Sequence, residues 1–110
     1  PPVIYRADLR TAEVLLPNGQ LLGAVADVEE NSNILAMGAG DVLFIYSDGL
    51  SEAKLADGSI IGSERIAQIL ALRAGSGDLQ TVVRSTVEEI RSLAGGRFRD
   101  DVAVVALRLD

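Results

Sequence analysis

Apolar and polar positions follow two rhythms along the chain. Val3-Ile4-Tyr5-Arg6 gathers β-branched and aromatic residues and predicts a strand, with a turn over Asp8 to Thr11 and a second strand over Ala12 to Leu16. Pro17-Asn18-Gly19 is a turn signal, because Asn and Gly accept positive φ. Gln20 to Gly23 reads as short and extended, Asp27 to Asn33 as a polar loop, Asn33 to Met37 as a strand and Gly38 to Asp41 as a turn. Val42-Leu43-Phe44-Ile45-Tyr46 is an unbroken apolar run, which suits a strand covered on both faces. Ser47-Asp48-Gly49 ends it, and Leu50 to Leu55 fits a short helix followed by an Asp57-Gly58 turn.

The rhythm then lengthens. Ser63 is placed to cap a helix running to Ala74, with Gly75 as its stop and Ile66, Ile69 and Leu70 as its apolar stripe. Asp78 caps a second helix to about Ala94. Leu79, Val82, Val83, Thr86, Ile90 and Leu93 recur there at close to 3.6 residues, and Gly95-Gly96 ends it. Val102 to Leu109 returns to a strand with a buried apolar run. Strands, then two helices, then a strand predict an α+β domain, a mostly antiparallel sheet with two helices packed on one face.

Composition narrows the chemistry. The chain has 110 residues, one domain at most, and its mean hydropathy of +0.27 suits either a layered core or a portion of a larger fold. Net charge is −6 with scattered Lys and Arg, which excludes a basic stripe for nucleic acid and opposes anionic membranes. The absence of Cys and His removes thiolate catalysis, disulfides, zinc sites of the usual kind and His-based triads. Any metal must be hard and oxygen-bound, meaning Mg²⁺, Mn²⁺ or Ca²⁺. Lack of Cys fits a cytoplasmic setting. The chain opens on Pro1-Pro2 without an initiator methionine, a signal-peptide pattern or a membrane-length apolar run, and so reads as a fragment.

The informative acids lie at strand ends. Asp48 follows the run Val42 to Tyr46, and Asp100-Asp101 precedes the run Val102 to Leu107. If those strands are antiparallel neighbours, the carboxylates project from one edge of the sheet, where a divalent cation would relieve their repulsion and act as a Lewis acid. Gly49 would let the backbone turn just after Asp48. The alternative is structural: Asp-Gly after a strand as a turn, and paired Asp before a strand as a solvated loop. A nucleophilic-Asp phosphotransferase of the haloacid-dehalogenase type would need Asp at position 46, where this chain has Tyr46. Glu52 reads as a first-turn helix residue, Asp41 as turn chemistry, and Ser47 and Ser51 as turn or cap residues.

Gly40-Asp41-Val42-Leu43-Phe44-Ile45-Tyr46-Ser47-Asp48-Gly49-Leu50-Ser51-Glu52-Ala53 resembles the signature of PPM-type protein phosphatases, closest to the bacterial sporulation-protein-E branch. Arg99-Asp100-Asp101-Val102-Ala103-Val104-Val105 resembles that family's closing motif. Asp57-Gly58, Ile61 to Ile66 and Pro1 to Arg6 agree further, so the resemblance spans the chain. It implies the C-terminal half of an α-β-β-α sandwich whose site holds two Mn²⁺ or Mg²⁺ ions. Asp48 and Asp100 would each bind a metal, with Asp101 a third ligand or a neighbouring group. From residue type alone, Arg97 and Arg99 suit contact with a substrate phosphate or, equally, are solvated arginines before a strand. The implied reaction is attack of an activated water on phosphoserine or phosphothreonine of a protein. In this branch the substrate is commonly an anti-sigma-factor antagonist.

The chain departs from the family pattern in two places. Ala103 stands where the family usually has Thr, and the family's earlier Asp-Gly metal motif has no counterpart, since Asp8 falls in a hairpin turn and Asp27 in a polar loop. The expectations are therefore an inactive chain by itself, exposed apolar surface or strand edges, and dimerisation or strand exchange as a remedy. Two further readings stay open: a degenerate phosphatase-like module that docks a regulator, and an acidic assembly domain with no site.

Overall fold

The computed structural model describes residues 1–15, 36–75 and 77–110. Its elements are β1 (Val3–Arg6), β2 (Thr11–Val14), β3 (Val42–Tyr46), α1 (Asp48–Ser51), α2 (Gly62–Arg73), α3 (Leu79–Leu93) and β4 (Val104–Arg108). The strands form one sheet in the order β2-β1-β3-β4, with every neighbouring pair antiparallel. The α+β architecture expected from the sequence is the one observed. The turn at 17–19, the extended stretch at 20–23 and the loop at 27–33 lie outside the described residues, as do Leu16 and most of the strand expected over 33–37. Ala36 and Met37, the two residues of that expected strand within the described part, are not in a strand.

Alternation along β1 and β3 decides where the core sits. Val3, Tyr5, Val42 and Phe44 turn to one face and are buried under α2 and α3. Ile66, Ala67, Ile69 and Leu70 of α2 and Val82 and Ile90 of α3 close that layer from above. The helices start and stop where local chemistry dictates. The Asp78 carboxylate accepts from the Thr81 N–H at 2.7 Å, capping α3. At its far end Gly95 takes φ +82 and the Gly96 N–H returns to the Arg91 carbonyl at 2.9 Å, a left-handed stop that suits glycine. Ser63 does not cap α2. The helix begins one residue earlier, and Ser63 Oγ instead hydrogen-bonds the Tyr46 hydroxyl at 2.7 Å, tying α2 to the end of β3.

The other face of the sheet corrects two expectations. The run over β3 is covered on one face only: Ile45 is 42% exposed and Leu43 half-buried. β4 is shorter than Val102 to Leu109 and has no fully buried residue, with Val105 57% and Leu107 58% exposed. A continuous apolar run signals two apolar faces, but it does not carry the layer that would cover the second one. The result is an aliphatic sheet face flanked by β4 as an end strand.

Asp41 is a structural anchor. It is buried, and its carboxylate accepts from the Gly38 N–H and the Ala7 N–H at 2.8 Å each and from the Arg6 guanidinium at 3.1 Å. Burial alone would raise this carboxyl, but those donors outweigh it and hold it below its ordinary value of 3.8. The group joins the β1–β2 turn to the start of β3. Asp41→Asn is expected to lower unfolding free energy at pH 7 by about 2–3 kcal/mol in urea titrations. Because the folded carboxyl is the more acidic, the wild-type advantage is complete above 3.8 and shrinks as pH falls through the folded value, which urea titrations at descending pH will show.

Thr86 lies fully buried on α3, and its hydroxyl finds no partner among the described residues. Thr86→Val keeps the shape and removes the unpaired hydroxyl, so thermal melts should show a gain of about 1 kcal/mol.

Candidate functional site

The antiparallel register of β3 on β4 pairs Tyr46 with Val104 and Val42 with Arg108. The chain leaving β3 therefore runs beside the chain entering β4, and Ser47 fastens them. The Ser47 N–H donates to the Ala103 carbonyl at 2.9 Å, and the Ala103 N–H donates to Ser47 Oγ at 3.0 Å. Ser47 also occupies the extended position before α1, but its side chain makes no cap bond there because it is committed to β4. This serine reads as a turn residue in the sequence, and its cross-strand role was not legible. The position expected as Thr is Ala103, and its backbone, held on both sides by Ser47, makes the connection.

Beyond Ser47, the Asp48-Gly49 segment lies directly against Asp100-Asp101. A Cβ on Gly49 would fall well inside contact of the Asp101 carbonyl oxygen, 3.0 Å from its carbonyl carbon and 3.3 Å from the Asp100 carbonyl oxygen. Gly49 lies within α1 and is not among the positive-φ glycines, so the reason for glycine differs from the expected one. It is needed for close approach of two backbones rather than for a turn. α1 also begins earlier than the expected Leu50, with Asp48 itself in its first turn, where a carboxylate opposes the helix dipole favourably. Glu52 thereby becomes the residue that ends α1 instead of one that opens it.

Asp48, Asp100 and Asp101 are all exposed, and none of their carboxylates is taken up by a hydrogen bond or ion pair among the described residues. Hard, uncommitted carboxylates are the donor set that Mn²⁺ or Mg²⁺ takes. Among the described residues, however, no three acidic side chains converge closely enough to enclose a cation. The edge fits one side of such a site.

Beside it opens a cleft of about 270 Å³ lined by Gly49, Glu52, Ala53, Lys54, Ile60, Arg99 and Asp100. Of the two arginines singled out from the sequence, Arg99 lines this cleft and Arg97 does not. Lys54 and Ile60 were not anticipated; the Asp57-Gly58 turn signal marks the loop that carries them but says nothing of where it points.

The fold has a counterpart among solved structures. The chain is similar to the solved structure of the SiaA-PP2C domain of Pseudomonas aeruginosa, with a TM-score of 0.72 at 21% identity, over 99% of this chain and 43% of that one. It thus spans less than half the length of that structure. The sequence model of the family described as Stage II sporulation protein E (SpoIIE) matches residues 1–110, and the chain belongs to that family. No curated protein sequence matches it.

Gly49→Ala is expected to push the Asp100-Asp101 segment away, costing about 1–3 kcal/mol in chemical denaturation. Crystallography of the variant should find the Asp48 and Asp100 segments farther apart.

Proposed function

We propose that the full-length protein carrying this chain is a metal-dependent phosphatase that removes phosphate from serine or threonine of a regulatory protein. The observation that carries this reading is the Gly49 contact, which holds two acidic segments from distant parts of the sequence at one sheet edge with their carboxylates uncommitted. Membership of the SpoIIE family supports the same class.

Asp48 and Asp100 would hold Mn²⁺ or Mg²⁺ jointly with groups outside the described residues, and Asp101 would assist as a ligand or a neighbour. A divalent ion there supplies Lewis acidity toward a phosphoryl group and lowers the pKa of water. The residues of this chain fix the carboxylates: Ser47 locks β3 to β4, Gly49 brings the segments together, and Arg99 meets the phosphate charge in the adjoining cleft. Two or three carboxylates on one side leave a cation incompletely held, so the 110-residue chain alone is expected to be inactive, as one portion of a longer catalytic domain. That remaining portion, or a second copy, would cover the aliphatic face around Ile45, Val105 and Leu107. The protein partner we infer is a phosphorylated anti-sigma-factor antagonist, in a cytoplasmic setting. Ala103, where the family usually has Thr, and the want of the family's earlier Asp-Gly motif motivate a second reading, a phosphatase-like module that docks a regulator without catalysis.

The two readings part in a single assay. With Mn²⁺ and a phosphoserine protein, the full-length protein should show turnover, and Asp48→Ala and Asp100→Ala should each lower kcat/KM about 100-fold or more. Turnover unchanged in both variants would remove the metal assignment. Absence of turnover in the wild type, with phosphoprotein binding retained, would favour the docking module.

A further inference from the structure

Resting on the phosphatase reading above, we propose that the hairpin from Ala53 to Ile61 is a substrate-selecting element, and that it favours phosphoresidues flanked by an acidic and an aliphatic side chain.

The hairpin is rigidly built. Its base is buried through Ala53 and Ile61, which are joined by the Ile61 N–H donating to the Ala53 carbonyl at 2.9 Å. Above the base, Lys54 and Ile60 form an antiparallel bridge, and the Leu55 N–H donates to the Ser59 carbonyl at 2.8 Å. The tip is tied by the Gly58 N–H to the Leu55 carbonyl at 3.0 Å, with Gly58 at φ +89, and by Asp57 Oδ1, which accepts from the Ser59 N–H at 2.9 Å. An exposed loop with so many internal bonds needs little further backbone ordering on binding.

The side chains it presents are largely exposed. Ile60 is 54% exposed, and Lys54 is exposed and forms no ion pair among the described residues. Residues opposed across an antiparallel bridge project to the same side, with Cβ atoms about 5 Å apart. Both line the cleft that Arg99 and Asp100 share. Two bases, Lys54 and Arg99, line the cleft beside two acids, Glu52 and Asp100, and neither base is in an ion pair among the described residues.

The cleft, at about 270 Å³, falls just under the usual range for a small-molecule pocket and accommodates a phosphoryl group with a neighbouring side chain. On the phosphatase reading, its occupant is the protein segment that carries the phosphoresidue. Arg99, next to Asp100 in sequence, faces the phosphate, since its planar fork suits phosphate oxygens. Lys54, a flexible point charge, meets a carboxylate beside the phosphoresidue, and Ile60 meets an aliphatic group on the same side.

The test uses the full-length protein with Mn²⁺, p-nitrophenyl phosphate as a minimal substrate, and phosphoserine peptides with Glu and Leu, Lys and Leu, or Glu and Ser beside the phosphoserine. Labelled-peptide anisotropy measures binding without turnover. Lys54→Glu should raise KM for the Glu-Leu peptide about tenfold more than for p-nitrophenyl phosphate, and should reverse the preference toward the Lys-Leu peptide. Ile60→Ser should erase the preference for Leu over Ser. Gain of the Lys-Leu peptide by Lys54→Glu cannot come from misfolding. If wild-type hydrolysis is present but peptide preferences are the same in both variants, the hairpin assignment is wrong while the phosphatase reading stands. If no substrate is hydrolysed, the phosphatase reading falls, and anisotropy still decides the hairpin: weakened Glu-Leu binding by Lys54→Glu supports it, and unchanged binding overturns it.

Discussion

The candidate site depends on one pairing, β3 running antiparallel beside β4. Parallel strands would have sent Asp48 and Asp100 to opposite ends of the sheet. In this register Tyr46 faces Val104, so the residues just past one strand meet those just before the other. Ser47 makes the junction stiff by using both its N–H and its hydroxyl on Ala103. Two hydrogen bonds at a strand end are individually modest, about 1 kcal/mol each. Their importance is geometric: they fix how the two acidic segments run past each other.

How closely those segments approach is set by the missing side chain of Gly49. Most glycines after an aspartate relax the backbone; this one lets another backbone in. Gly49 thus sits within α1 and against the entry to β4 at once, two elements far apart in sequence. Asp41 performs a comparable service at the opposite end of β3, where it binds the β1–β2 turn through backbone donors and Arg6. Strand β3 is thus clamped at both ends, by an internal carboxylate at its start and a serine at its finish.

Much of this was legible beforehand. The bounds of β1 and β3 follow directly from their β-branched and aromatic runs, and α3 from its period and its Asp78 cap. The convergence of the Asp48 and Asp100 segments followed from one assumption about strand direction. What failed to show were relations between elements that alternation along one strand cannot encode. The run Val42 to Tyr46 is apolar on both faces, but only the helices' face is covered. The early start of α1 reflects the favourable charge of Asp48 at a helix N-terminus, a local effect masked by the Asp-Gly turn pattern. Ser47 and the pair Lys54 and Ile60 matter through partners dozens of residues away or across a hairpin, where no spacing rule points.

The exposed aliphatic residues of the outer sheet face carry a further consequence. Ile45, Val105 and Leu107 contribute little to holding this sheet together, because half-wet aliphatic groups gain little of the burial energy that stabilises a core. Polar replacements there would leave the local fold intact. Any requirement for apolar residues at those positions would therefore come from something other than the stability of this sheet, such as a surface that closes over it.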